Sequence, residues 1–388
     1  MNLVEFITVL MAVSAGIYVS QLALFMLGLR RLGVGSNELK PSVVVLVAAR
    51  NEERVIADCL RSLVEQDYPE QKYSIVVIDD HSTDLTPAIV ENVARTTSRV
   101  RLFHAPDPSP GVSPKVNALS YALSQTSEEI VCTTDADCVV GPGWISSLMK
   151  HFAENVGVVS GVTLFGETPG VNEMLSQFQS LDFFSQTACG AGAIGLGVVN
   201  NCNGSNMAFR RSAYEAAGGY AAIAHVNSGS DSLLAQRITA ITSWRMTFSM
   251  DPDSHVRTRP LTSWRGVLGQ RMRWAGQTPN YRPATLVFLG ASFFLYLSLF
   301  ISVPFSVVFW RSFDLPLVLL VVKMTVDAAI ILYFMKLTHV RGVMKSFFLS
   351  ELIHIPVVLL AVIGSAFGRF DWKGRSLRRE MTVGRMSS

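Results

Sequence analysis

The chain has 388 residues, of which 49% are hydrophobic and 16% are charged, a composition too apolar for an ordinary soluble enzyme. A membrane-embedded part is therefore expected. The net charge of +3, without a basic stripe interleaved with aromatic residues, argues against a nucleic-acid partner.

Four stretches are long and apolar enough to span a bilayer or to lie in it. They are residues 3–29, 285–310, 315–335 and 346–367. The first has neither the basic head nor the small-residue cleavage site of a signal peptide, which predicts a retained anchor. Because Arg30 and Arg31 follow it directly, the positive-inside preference places the next region in the cytoplasm. The sequence thus predicts a multi-pass protein of the cell (inner) membrane with its polar middle in the cytoplasm.

Short apolar runs alternate with amphipathic stretches from Pro41 onward, which is a βαβ rhythm. Strands are predicted at 43–47, 75–78, 101–104 and 129–133, and helices at 54–64, 87–95, 115–123 and 142–152. Runs as uniformly apolar as VVVLV and IVVI are typical of parallel strands that are covered on both faces. Ligands of such sheets bind at the carboxyl ends of the strands, so a site is expected there.

The chain divides into four parts. Residues 1–32 form the anchor, residues 38–240 one α/β, Rossmann-like domain, residues 241–284 an interfacial segment, and residues 285–388 a C-terminal membrane region with a basic tail. Within the third part, residues 263–277 (SWRGVLGQRMRWAGQ) are basic and amphipathic, which predicts a helix on the cytoplasmic membrane surface.

Two acidic pairs follow predicted strands: Asp79 with Asp80, and Asp135 with Asp137. Carboxylates clustered at such a position favour a hard cation, Mg²⁺ or Mn²⁺, whose coordination shell the phosphates of a substrate would complete. The D-x-D triplet alone is weak evidence, because acidic residues after strands are common turn formers. Its weight comes from the motifs that surround it.

Seven motifs occur in the order and approximate spacing of family 2 glycosyltransferases, which this chain resembles from about residue 41 to residue 277. They are PSVVVLVAARNEE (41–53), DD (79–80), PKVNAL (114–119), DAD (135–137), GSNMAFRR (204–211), SGSD (228–231) and QRMRW (270–274). Each motif is unspecific, but the combination is highly specific. The resemblance implies a membrane-bound, inverting enzyme of the GT-A fold that uses a nucleotide sugar and a divalent metal, similar to bacterial glycosyltransferases that act on ceramide, hopanoid or carotenoid lipids.

The roles of the family's site residues carry over position by position. The resemblance implies Asp135 and Asp137 as metal ligands and Asp231 as the general base that takes the proton of the acceptor hydroxyl. The expected donor-binding residues are Glu52, Asp79, Asp80, Lys115, Asp135, Gln270, Arg273 and Trp274. Among them, Glu52 and one of the two adjacent acids are expected on the nucleoside, and Lys115 on the diphosphate or ribose. The Q-x-x-R-W side chains are expected to cover the diphosphate and to border the acceptor.

Two positions depart from the family pattern. Ser230 stands where relatives usually carry the first of two adjacent acids, which leaves Asp231 as the base. Arg50 stands where many relatives carry an aromatic residue for the uracil, so any stacking there would use a guanidinium group.

Three further features have structural interpretations. The G-x-G-x-x-G string at 190–195 follows no predicted strand, so a dinucleotide site is rejected in favour of a close-packed loop at 188–199 that lines an acceptor groove near the membrane. Lys323 and Asp327, four residues apart in an apolar stretch, are expected to pair with each other, with a substrate contact as the alternative. The five cysteines form neither a disulfide framework nor a paired zinc spacing, and are expected to be reduced.

The basic tail conflicts with a simple topology. If the N-terminus is outside and all four apolar stretches span, the tail ends outside, against the positive-inside preference. Its basic residues are Arg369, Lys373, Arg375, Arg378, Arg379 and Arg385. Residues 346–367, which contain Glu351, His354 and Pro356, are therefore predicted to be interfacial or re-entrant.

The favoured hypothesis is a hexosyltransferase that moves one sugar from a nucleotide-sugar donor, expected to be a UDP-hexose, to a membrane lipid at the cytoplasmic face. The small number of apolar stretches motivates this hypothesis of single-sugar transfer. A processive polysaccharide synthase is the alternative, although such enzymes generally build a channel from more helices. A nucleotide-binding scaffold or transport subunit without turnover is a third hypothesis, motivated by Ser230.

Overall fold

The computed structural model describes residues 3–166, 168–224, 229–278, 281, 283–305, 314–367, 369–372 and 375–378. Within them, a long N-terminal helix precedes a mixed α/β domain, and three further long helices and a short hairpin follow it. The predicted α/β class with helices at both ends is confirmed.

The first half of the main sheet is parallel and follows the predicted rhythm. Its strands are β1 (Val43–Ala49), β2 (Tyr73–Asp79), β3 (Val100–His104) and β4 (Ile130–Asp135), connected by α2 (Ile56–Val64), α3 (Thr86–Thr96) and α4 (Pro114–Ser124), while α1 (Leu3–Leu29) precedes them. The valines and isoleucines of β1 and β2 are buried because helices cover both sheet faces. The pairing aligns Ala49 of β1 with Asp79 and Ala48 with Asp135, so both acidic pairs lie at one edge.

The second half of the sheet contains an antiparallel strand that the sequence rhythm did not predict. The elements of this second half of the domain are β5 (Val139–Val140), α5 (Trp144–Met149), β6 (Val156–Gly161), β7 (Thr163–Phe165), α6 (Glu173–Gly195), β8 (Met207–Arg210), α7 (Arg211–Ala216), α8 (Ser230–Ile241), β9 (Arg245–Ser249) and β10 (Val256–Thr258). The seven strands are ordered β3-β2-β1-β4-β8-β6-β9, and β8 runs antiparallel to both of its neighbours. Strands β5, β10 and β7 form a separate small sheet. The helix predicted at 142–152 is shorter than expected.

Helix α6 corrects the loop predicted at residues 188–199, because it continues to Gly195. Its C-terminal glycines pack directly on α1. A Cβ added at Gly195 would overlap the carbonyl oxygen of Gly28, and one added at Gly28 would overlap that of Gly192. Small residues allow two helix backbones to approach this closely, and the contact stabilises a glycine-rich helix that has low intrinsic propensity.

The remaining helices are α9 (Trp264–Ala275), α10 (Pro283–Phe305), α11 (Asp314–Thr338) and α12 (Phe347–Phe367). Among the described residues, four apolar helices could cross a membrane by length and composition: α1, α10, α11 and a segment that covers nearly all of α12. Which of them cross remains a prediction, as does the interfacial placement of residues 346–367. A two-stranded hairpin, β11 (Arg369–Trp372) with β12 (Arg375–Arg378), follows α12. Lys373, Arg379 and Arg385 of the basic tail lie outside the described residues.

The predicted ion pair in the apolar helices is confirmed, since Lys323 Nζ lies 2.9 Å from Asp327 Oδ2. It belongs to a larger buried network. Lys323 also pairs with Glu351 of α12, and the Tyr18 hydroxyl of α1 donates to Asp327 Oδ1 at 2.6 Å. The Tyr18 and Tyr296 hydroxyls are 3.2 Å apart. The network therefore connects α1, α10, α11 and α12.

The five cysteines are free thiols, as expected. Cys59, Cys132 and Cys138 are buried. Burial raises the pKa of each of these three thiols above its ordinary value, so they stay protonated and unreactive at neutral pH.

We expect Gly28→Ala to destabilise the protein by about 1–3 kcal/mol, because the added methyl overlaps the backbone of α6. The measurement is the thermal unfolding midpoint in detergent, which should fall by several degrees. Gly16→Ala on the same helix is the matched control, since a Cβ there meets nothing within 4 Å. Equal midpoints for the two variants would contradict the close α1–α6 contact.

Candidate active site

A cavity of about 450 Å³ opens at the sheet edge where β1, β2 and β4 end. Nearly all of the sequence-predicted site residues line it. These are Glu52, Asp80, Lys115, Asp135, Asp137, Asp231, Gln270, Arg273 and Trp274. Asp79 differs, because its carboxylate accepts the backbone N–H of Ser82 at 3.3 Å and lies 3.4 Å from His104 Nδ1. Of the two adjacent acids, the cavity is therefore lined by Asp80.

Opposite charges face one another across the centre of this cavity. Lys115 Nζ, on the first turn of α4, lies 3.2 Å from Asp135 Oδ1. Asp135, and then Asp231, raise the pKa of Lys115 above its ordinary value. Burial lowers the pKa of Arg273, although Asp135 and Asp231 oppose the shift. Both basic side chains are therefore cationic at neutral pH, and they provide the positive charge that a diphosphate requires.

Two glycines determine where the Asp231 side chain lies. Gly229 adopts the left-handed conformation (φ 72°) immediately before α8, which puts Asp231 in the first turn of that helix. The partial positive charge of a helix N-terminus stabilises a carboxylate there. Gly204 leaves the space for this carboxylate, because a Cβ added at Gly204 would overlap it. Ser228, the first residue of the predicted S-G-S-D motif, lies outside the described residues.

The G-S-N motif at 204–206 is anchored through Asn206, which is completely buried. Its amide donates to the carbonyl oxygens of Val162 and Ser254, both at 2.8 Å, and accepts the indole N–H of Trp144 at 3.0 Å. Thr133 of β4 donates to the Gly204 carbonyl at 2.7 Å. The motif therefore fixes the backbone of Gly204 rather than presenting its amide side chain to a ligand.

Asp135, Asp137 and Cys138 bring potential metal-binding atoms within 4.8 Å of one another. The two carboxylates line the cavity, and carboxylate oxygens are the ligands that Mg²⁺ and Mn²⁺ prefer. Cys138 fits poorly as a ligand for a hard cation, because burial raises its pKa and keeps it a neutral thiol. The donor set thus fits a hard divalent cation that is bound by the two carboxylates and completed by ligand oxygens.

The predicted amphipathic helix is α9, which begins after Ser263, whose hydroxyl accepts the N–H of Gly266 at 3.2 Å. Gln270, Arg273 and Trp274 of α9 line the cavity. The Trp274 ring lies 5.9 Å from the Phe183 ring of α6, between centroids, and the Arg271 guanidinium lies 4.2 Å from the Trp274 centroid.

One wall of the cavity was predicted only in part, because residues 188–199 were expected along a groove but Phe183, Gln186 and Thr187 were not. Five residues of α6 line it at helical spacing: Phe183, Gln186, Thr187, Gly190 and Ala191. Aromatic Phe165, Phe248 and Tyr281 line the same cavity. The cavity is therefore lined both by charged side chains at the strand termini and by aromatic, small and uncharged polar side chains. Positions 183, 186, 187, 190 and 191 share one helical face, which is the signal that could have revealed this wall had the segment been predicted as a helix.

The sheet order, the acidic pair after β4 and the basic residues opposite it define a glycosyltransferase of the GT-A fold. In agreement, the mannosyltransferase PcManGT from Pyrobaculum calidifontis, solved in complex with GDP-Man and Mn²⁺, superposes with a TM-score of 0.59 over 92% of this chain and 99% of that chain, at 21% identity. At this identity the similarity shows the shared fold.

The particular family follows from a match to the model of glycosyl transferase family 21, which covers residues 6–382. The chain belongs to this family, and the glycosyltransferase expected from the motifs is confirmed. The β-monoglucosyldiacylglycerol synthase of Nostoc sp. is 31% identical over 184 residues, 46% of this chain and 38% of that protein. A poly-β-1,6-N-acetyl-D-glucosamine synthase of Staphylococcus epidermidis is 27% identical over 176 residues, 45% of this chain and 40% of that protein. The aligned region thus spans less than half of either relative.

We expect Gly204→Ala to lower sugar transfer by about a hundredfold or more, because the added methyl displaces the Asp231 carboxylate and such displacements are costly to catalysis. Initial rates with a radiolabelled nucleotide sugar measure the effect. Gly166→Ala is the control, since its Cβ would meet Thr258 O at an ordinary 3.6 Å. Unimpaired transfer by Gly204→Ala would show that Asp231 does not act from its observed position.

Proposed function

We propose that this enzyme transfers a single sugar from a UDP-hexose to a membrane lipid, with inversion at the anomeric carbon. The observation that carries the proposal is the composite cavity: charged residues at the strand ends share one space with aromatic, small and uncharged polar side chains of α6 and with α9. A nucleotide sugar suits the charged strand ends, and the polar head of a lipid suits the α6 wall. A relative named as a glycolipid synthase supports this choice of acceptor.

Each donor-binding residue has a role that its position supports. Glu52 and Asp80, at the ends of β1 and β2, face the nucleoside. Lys115 and Arg273 face the diphosphate, whose charge grows as the leaving group departs. The side chains of Gln270 and Trp274 cover the donor from α9.

Asp231 is the proposed general base. As the acceptor hydroxyl oxygen forms its bond to the anomeric carbon, the bond from that carbon to the diphosphate oxygen breaks and the nucleoside diphosphate leaves. The hydroxyl proton passes to the Asp231 carboxylate. A single base on the face opposite the leaving group suffices for inversion.

Asp135 and Asp137 are the proposed ligands of a divalent cation, Mg²⁺ or Mn²⁺. When bound, the cation neutralises charge on the departing diphosphate. Lys115 lies against Asp135 and so contributes to the same charge balance from the protein side.

The membrane is the proposed source of the acceptor, with the catalytic domain on the cytoplasmic face of the cell membrane. Helix α9 lies against α12, where a Cβ at Gly364 would meet Met272. Ile353 and Val357 of α12 pack on a small cluster that includes Val267 of α9. These contacts extend along three turns of α12. Together with the basic tail that follows, they support the proposal that α12 lies beside α9 at the membrane interface.

A processive polysaccharide synthase is the second candidate, favoured by the similarity to the poly-β-1,6-N-acetyl-D-glucosamine synthase. The ionic network of Lys323, Asp327 and Glu351 argues against it. These three residues are at most 7% exposed and join α11 to α12, so a growing polymer that passed between these two helices would have to break their ion pair. A non-catalytic scaffold, suggested by Ser230, would not explain why Gly204 leaves space for the Asp231 carboxylate.

Radiolabelled product decides between these functions. We expect purified protein, given UDP-[¹⁴C]glucose and vesicles of total lipid extract, to place label in the chloroform–methanol phase. Asp231→Asn should lower this by about 10²–10⁴-fold while donor binding persists, because the amide cannot accept the proton. Glu91→Gln, an exposed site on α3, is the control. Label in a water-soluble polymer with none in lipid would refute the lipid acceptor, and unchanged turnover in Asp231→Asn would refute the assigned base.

Metal dependence is tested by calorimetric Mn²⁺ titration. Asp137→Asn should weaken Mn²⁺ binding by about tenfold or more, because one of two anionic ligands becomes a neutral amide. Chelation by EDTA should abolish transfer, and added Mn²⁺ or Mg²⁺ should restore it. Asp67→Asn, an exposed carboxylate that bonds to Ser146, is the matched control. Equal Mn²⁺ affinities in the two variants would contradict the assigned ligand.

A further inference from the structure

Arg271 is the basic residue of the QRMRW segment that does not line the cavity. Its side chain is buried, at 7% exposed. Its guanidinium lies 4.2 Å from the centroid of the Trp274 ring, and its Nη1 donates to the side-chain oxygen of Gln270 at 2.7 Å. One guanidinium thus contacts two side chains that line the cavity.

A carboxylate on a different helix holds this guanidinium. Arg271 Nε donates to Asp182 Oδ2 of α6 at 2.6 Å, and a second nitrogen pairs with the same oxygen. Gln186 donates to the other oxygen of Asp182 at 3.0 Å, and His354 Nε2 of α12 lies 3.3 Å from it. We name Asp182, Arg271, Gln186 and His354 the Asp182 cluster. Burial would raise the pKa of Asp182, but Arg271 and His354 outweigh it and the pKa is lowered, so Asp182 stays ionised.

We propose that Asp182 and Arg271 are positioning residues that set Gln270 and Trp274 against the substrate, and that His354 connects this setting to α12. This positioning role rests on the proposed function in one respect, which is that Gln270 and Trp274 face a sugar donor and its acceptor. Asp182, Arg271 and His354 do not line the cavity, whereas Gln186 does. The first three act through the two side chains that Arg271 contacts.

The chemistry of arginine explains why this position requires that residue. The planar guanidinium donates along its edge to Asp182 and Gln270 while its face stacks on the Trp274 ring. A lysine could keep the ion pair but has no planar face and only a point charge. The Trp274 ring also contacts Phe183, and loss of the guanidinium removes one of these two contacts. A displacement of about 1 Å in a positioning group can cost about a hundredfold in rate.

A double-mutant cycle separates positioning from general destabilisation. We expect Arg271→Lys and Trp274→Phe each to lower kcat/KM for the labelled product by between about 10- and 100-fold. The double variant should lose clearly less than the product of the two single losses, because both changes remove the contact between Arg271 and Trp274. Multiplication of the two losses would overturn the proposal, since it would show that Arg271 acts independently of Trp274.

The ion pair itself is tested with a matched control. Asp182→Asn should reduce transfer as Arg271→Lys does, whereas Glu129→Gln should not, although it removes a 2.8 Å ion pair with Arg210. His354→Leu should lower transfer by several-fold through the same cluster. Equal losses in Asp182→Asn and Glu129→Gln would assign the effect to stability and refute positioning.

A readout that needs no turnover distinguishes this proposal from the proposed function. In protein labelled with 5-fluorotryptophan, the ¹⁹F signal that disappears in Trp274→Phe is that of Trp274. We expect Arg271→Lys and Asp182→Asn to shift or broaden this signal and Glu129→Gln to leave it unchanged. A Trp274 signal identical to wild type in folded Arg271→Lys would overturn the proposal, even in an enzyme whose acceptor is not a lipid.

Discussion

The structure depends on the contact between α1 and α6, in which glycine backbones touch without side chains between them. Gly28 meets Gly192 and Gly195 so closely that a Cβ on either helix would overlap a carbonyl oxygen. The opposite face of α6 lines the catalytic cavity. One helix therefore fixes the distance between the N-terminal apolar helix and the site. The glycine-rich stretch that resembled a nucleotide-binding loop is thus a packing surface on one side and a cavity wall on the other.

Charge distribution follows from the same architecture. Parallel strands bring Asp135 and Asp80 to one sheet edge, where their mutual repulsion requires cations. Lys115 and Arg273 supply part of that charge from α4 and α9, and a divalent ion would supply the rest.

Sequence patterns predicted the first half of the sheet because uniform apolar runs and helical periodicity are local signals. They failed where tertiary contacts decide. Strand β8 is only four residues long and pairs with partners far away in sequence. The C-terminal half of α6 is rich in glycine, and its helix depends on α1. Motif matching left open which of Asp79 and Asp80 faces a ligand; successive side chains at a strand end point to opposite sides, and the cavity is lined by Asp80.

The buried charges bear on what the apolar helices do. Lys323 and its carboxylate partners are buried away from water and pair with one another. Removing one partner would leave an uncompensated buried charge at a cost of about 3–5 kcal/mol. A bundle that opened to pass a polar chain would have to break these contacts in every cycle. The edge of the Tyr296 ring, whose hydroxyl belongs to this network, lies against His354, which reaches Asp182. The polar contacts between the apolar helices thus extend to α9, the helix that carries Trp274. Helices fixed in this way are suited to an acceptor that approaches beside the bundle and does not pass through it.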